Sequence, residues 1–276
     1  MRLFLCSTLI AYLITPHCSG QPLPADTTRY VRLIFIADCF SAAENSSFSY
    51  AAANLAADYE RDPLIRVTVK RIYFHSGKQV VDSINHQKLV IKSVDFLSHA
   101  QNDRIGAQIM RHRVNYRSSL FESKKSLQLA TTKGGPMPNS NEMASIEQID
   151  FTRFSYDAVV EVHGCHGGSE TDSIPVSFCR RLSAALYMSG KQLAVAIGHG
   201  TRANPNYTPA TISLSPARPA SFRDSVISQD YRHGLRILYF NGHKIRSTKL
   251  AGQIPPQLIV SSIVEWNNAS AGRLNL

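Results

Sequence analysis

Cysteine is scarce: five in 276 residues, two of them, Cys6 and Cys18, within the first 20. Beyond residue 20 only Cys39, Cys165 and Cys179 are left, an odd number that cannot close a fully paired disulfide framework. Either one disulfide and one free thiol are present, or three free thiols. After the leading segment no apolar run reaches the roughly 20 residues a membrane helix needs. No glycine-rich loop carries the lysine of a phosphate cradle, and no His-Glu-x-x-His spacing offers a standard zinc helix. Paired carboxylates are not evident either. The formal charge is +10, yet no basic stripe alternates with aromatics, so the excess reads as solubility and weak electrostatic attraction, with no nucleic-acid partner.

The leading segment has the grammar of an export signal. Arg2 supplies a short positive start, residues 3–15 are mostly apolar but too short to span a bilayer, and residues 16–20 end in small residues. Cleavage after Gly20 leaves residues 21–276, enough for one α/β domain with a substantial core and no further membrane span. The expected location is outside the cytoplasm, secreted or periplasmic.

Along that domain, short β-rich runs alternate with helical patterns. Strands are read at residues 30–36, 64–74, 89–97, 154–162 and 191–197, with a hairpin or sixth strand at 235–245. Helices are read at 41–61, 80–86 and, most clearly, 175–189, where Val176, Cys179, Leu182 and Leu186 recur at helical spacing and Gly190 closes the run. Residues 109–130 read as partly helical, residues 131–141 and 201–220 as loops, and 257–266 as an apolar segment covering the sheet. This alternation predicts a mostly parallel central sheet with helices on both faces. No repeat or interdomain linker interrupts it.

The run at 158–162 drives straight into His163-Gly164-Cys165-His166-Gly167-Gly168, a buried strand stopping at a glycine-rich turn. Three such strands end in reactive side chains: His99, Cys165 and His199. The carboxyl ends of parallel strands line one edge of the sheet, so these residues are expected to meet there. A thiolate at Cys165 would attack a carbonyl carbon, His99 would serve as general acid and base, and the Gly164 N–H would hold the oxyanion. Cys179 is read as core.

A strand ending in Ser98-His99-Ala100, a long connection, and an apolar strand ending in His163-Gly164-Cys165 resemble the caspase-like cysteine peptidases, a group that includes legumain, gingipain and clostripain. The resemblance spans about Tyr30 to His199. It implies a caspase–haemoglobinase-like fold, a Cys165/His99 dyad, no cofactor, and a protein or peptide substrate cut after a particular side chain. Arg104, Arg153, Arg180 and Arg202 are candidates for an acidic-side-chain pocket, and His199 for a substrate contact. Ala100 stands where that family has glycine, and His166 follows the cysteine where a small residue is common.

Two other readings compete. His163, Cys165 and His199 are a candidate zinc set, with Glu161 or Asp95 as base, which makes the chain a zinc hydrolase. An inactive fold kept as a binding module is the third.

Overall fold

A charged residue inside an apolar strand shows how the sheet is built. β1 (Tyr30–Ala37) is buried from Val31 to Ala37, and its one charge, Arg32, is covered along with the rest. The Arg32 guanidinium lies 4.2 Å from the Tyr59 ring centroid and 3.1 Å from Asp62, so its charge is paired while its stem packs. The computed structural model describes residues 29–38, 42–62, 67–101, 104–111, 114–119, 144–172, 175–203 and 231–273. Cys39, the leading segment, the loop read at 131–141 and residues 204–220 of the loop read at 201–220 lie outside them.

The strands that follow are β2 (Val67–Phe74), β3 (Val90–Leu97), β4 (His99–Gln101), β5 (Arg104–Arg111), β6 (Val114–Ser119), β7 (Phe154–Val162), β8 (Val195–His199), β9 (Arg236–Phe240) and β10 (His243–Thr248). Seven of them form one sheet in the order β10-β9-β8-β7-β3-β1-β2, parallel from β2 through β8 and antiparallel at β9 and β10. β4, β5 and β6 form a separate antiparallel ribbon inserted between β3 and β7. Of the stretch 109–130 read as partly helical, that ribbon corrects residues 109–111 and 114–119, and the rest lies outside the described residues.

The helices are α1 (Ala42–Glu60), α2 (Gly77–Asn85), α3 (Phe178–Met188) and α4 (Pro256–Arg273). α2 starts where Ser76 Oγ accepts the Gln79 N–H, and α3 where Ser177 Oγ accepts the Arg180 N–H, each satisfying one orphan donor of its first turn. α1 places Tyr59 on Asp95 of β3, and α4 packs Ile259 and Ile263 against Val195, Ile197, Leu238 and Phe240. α3 lies on the opposite face, where Cys179 Sγ meets the Ile197 carbonyl at 3.4 Å. The result is a mostly parallel sheet flanked by helices on both faces. Among the described residues, no helix is long and apolar enough to cross a membrane.

Candidate functional site

Register builds the site before any side chain is considered. Asp95 of β3 is paired with Glu161 of β7, Val162 of β7 with Gly198 of β8, and His199 of β8 with Arg236 of β9. Residues two apart on a strand share a face, and directly paired residues share a face across strands. Asp95, Glu161, His163, His199 and Arg236 therefore share one face, at the carboxyl edge of the sheet and on the side of α1 and α4. All five are at most 6 % exposed. Bare charges at that depth are prohibitively costly, so their partners define the chemistry.

Asp95 Oδ2 accepts the Tyr59 hydroxyl at 2.7 Å, and Asp95 Oδ1 lies 2.9 Å from His163 Nε2. A carboxylate only accepts, so Nε2 carries the hydrogen. His163 Nδ1 then faces Glu161 Oε1 at 4.0 Å, too far for a hydrogen bond, and it has no hydrogen-bond partner among the described residues. Glu161 Oε1 accepts from Arg236 Nη1 at 2.8 Å, and Arg236 Nη2 is held by the carbonyls of Leu250 and Gly252. Arg232 and Arg32 also stand near, but each is paired with its own aspartate, Asp58 and Asp62, so two carboxylates against the Arg236 guanidinium leave one negative charge. The charge is balanced by a proton on His163 or by a cation in its neighbourhood.

The titration directions agree with that balance. Burial alone would lower His163, but the charge of Glu161 and the hydrogen bond and charge of Asp95 outweigh it and raise its pKa. Burial, and then the Asp95 charge, keep Tyr59 protonated well above its ordinary value. His199 goes the other way: burial, reinforced by the charge of His163, lowers it to about 4. Its Nε2 is buried and has no hydrogen-bond partner among the described residues.

The donors that come together are Asp95, Glu161 and His163, whose ligand atoms all lie within 4.8 Å of one another. None is a cysteine. This overturns the expected Cys165/His99 dyad, and with it the thiol-peptidase and cysteine-endopeptidase readings. Cys165 stands beyond the end of β7, half-buried, and its Sγ donates to the Ala203 carbonyl at 3.6 Å. His99 opens β4 and sets its ring edge-on to Phe48, with centroids 5.7 Å apart. Gly164 does bring the two segments together, since a Cβ there would lie 2.4 Å from Ala100 Cβ and 2.5 Å from the Ser98 carbonyl oxygen. That closeness seats the turn, and the concentrated charge lies elsewhere.

Of the candidate zinc set His163, Cys165 and His199, the cluster contains His163, together with two carboxylates read only as bases. Arg180 spans the α3–β9/β10 contact, with Nε on the Gly242 carbonyl at 2.7 Å and Nη1 on Glu170 at 3.5 Å. Arg153 pairs with Asp150, Arg104 opens β5, and Arg202 lies just past β8. Tyr59 and Arg236 were not anticipated. An acid inside Val94-Asp95-Phe96-Leu97 and inside Val159-Val160-Glu161-Val162 was the available signal, because strands covered on both faces are otherwise near-continuously apolar.

No protein-family model matches the chain, and no curated protein does.

Proposed function

We propose that this protein is a metal-dependent hydrolase, with a divalent cation held at the Asp95, Glu161 and His163 cluster and acting on a protein or peptide substrate. The supporting observation is the mutual approach, within 4.8 Å, of three buried donors at the carboxyl edge of a parallel sheet. A cation there supplies Lewis acidity and an activated water. The chain's own groups order the cluster: Tyr59 holds Asp95, Asp95 holds His163, and Arg236 holds Glu161.

The sheet is, in the same proposal, of the caspase–haemoglobinase type. In support, β1 lies between β2 and β3, and a small antiparallel ribbon interrupts the chain between β3 and β7. Thiol chemistry does not follow from that architecture, because fold and reaction are separable. Export with cleavage after Gly20, leaving one domain over residues 21–276, completes the proposal and is checked by the amino-terminal sequence of the mature protein.

Elemental analysis of protein purified without chelator tests the core of it. About one equivalent of a divalent metal is expected, with peptide or ester hydrolysis lost in chelator, restored by the metal, and kept in Cys165→Ser. A metal-free protein that takes up none would overturn the proposal and leave the cluster as a buried ion network in a binding module.

A further inference from the structure

We infer that the cation is of the zinc class and is held by His163 Nδ1, Glu161 and His199 Nε2, with Asp95 orienting His163 from the other side of its ring. The inference rests on the metal-centre reading above and specifies which atoms carry it.

Three observations lead there. His163 spends its Nε2 hydrogen on Asp95, at 2.9 Å, so only Nδ1 has a lone pair to give. That nitrogen is buried, lacks a hydrogen-bond partner among the described residues, and faces Glu161 at 4.0 Å. Such a carboxylate–imidazole pair is how proteins fix the tautomer of a metal-bound histidine. Second, Arg236 engages Glu161 through Oε1, which leaves Oε2 for another partner. Third, His199 carries another buried nitrogen without a hydrogen-bond partner among the described residues, and its strand is registered so that it follows the Val162–Gly198 pair as His163 does. An imidazole nitrogen buried without a partner costs stability unless something occupies it.

Both imidazoles therefore stand on the face of the sheet that carries Glu161. His199 is outside the group whose ligand atoms are all within 4.8 Å of one another, so its ring must swing in when the ion binds. Two imidazoles and one carboxylate suit zinc or its first-row neighbours over magnesium or calcium, which take oxygen ligands. Three protein ligands leave a position open, the arrangement of catalytic rather than structural zinc.

Cobalt(II) titration of the chelator-stripped full-length protein, followed by visible absorption, tests this. The wild type is expected to bind one equivalent with the intense visible bands of a four- or five-coordinate ion. His199→Leu is expected to bind at least about ten-fold more weakly, with altered bands. In a Cys165→Ser background, His199→Cys is expected to add a near-ultraviolet sulfur-to-cobalt charge-transfer band absent from its parent. Wild-type affinity in His199→Leu together with no new band in His199→Cys would overturn this assignment while the metal centre stands. No cobalt uptake by the wild type would overturn both.

Discussion

His199 is neutral in the folded protein because burial and the charge of His163 hold it at about 4, whereas in an unfolded chain it titrates near 6.5. Between those values the unfolded state binds a proton that the folded state refuses. Stability therefore rises with pH across this window: the contribution is complete above 6.5 and is lost as pH falls toward 4. The difference amounts to about 3 kcal/mol at most. His163 has the opposite sign, since its raised pKa favours folding at pH values below 6.5 and that contribution is lost as pH climbs through the folded value. In chelator, His199→Leu is expected to flatten the acid side of the stability profile, measured as urea midpoints from pH 4 to 7. An unchanged acid slope would mean that His199 titrates normally in the folded chain.

At the scale of elements, α1 and α3 each place one side chain on the sheet with consequences for the site. Tyr59, near the end of α1, donates to Asp95 at 2.7 Å. Tyr59→Phe keeps the ring beneath Arg32 but removes the donor, and is expected to cost about 1–3 kcal/mol in urea unfolding as a buried acceptor loses a partner. On the other face Cys179 of α3 packs against Gly198 of β8, where a Cβ would come 2.6 Å from Cys179 Sγ and 2.6 Å from the Gly168 nitrogen. Gly198→Ala is expected to destabilise by at least about 1–3 kcal/mol. Adding Cys179→Ala should not rescue it, because the Gly168 backbone stays in the way. A double variant as stable as Cys179→Ala alone would show that the thiol was the only obstacle.

The elements that were legible in the sequence carry strong local patterns. β1, β3, β7 and α3 stand within a few residues of where apolar runs, Pro175 and Gly190 predict them, because burial on both faces or a clean helical period leaves little choice. The ribbon β5–β6 was not legible. Its strands pair Arg111 with Val114, and the intervening His112-Arg113 has none of the Asn-Gly or Asp-Gly chemistry that announces a tight hairpin. The site was half legible for a related reason. The glycine turn after β7 pointed to the correct edge of the sheet. The choice between Cys165 and the Asp95–Glu161–His163 cluster depended on where β7 stops, at Val162, and on the register that sets Asp95 beside Glu161 across strands far apart in sequence.

Across the whole molecule the site is a problem of charge balance: Arg236 reaches past β8 to Glu161, joining the antiparallel end of the sheet to its parallel centre. Arg236 is fully buried, and its guanidinium holds Glu161 at 2.8 Å as well as two carbonyls. Removing one member of such a pair strands the other charge, at a typical cost of about 3–5 kcal/mol. Arg236→Met is therefore expected to be much less stable than the wild type in chelator, because Asp95 and Glu161 then share only the proton on His163. The same substitution removes the positive charge that competes with a bound cation. Zinc should accordingly recover stability in Arg236→Met, and by more than it adds to the wild type. A ligand at 100 times its dissociation constant contributes about 2.7 kcal/mol through mass action, and tighter binding contributes more. Urea midpoints of both proteins, with chelator and with zinc, give the four numbers required. A zinc-dependent gain larger in Arg236→Met ties the buried cluster to the cation. Equal gains in the two proteins would place any bound zinc away from Glu161, and Arg236 would then be a structural clasp between β7 and β9.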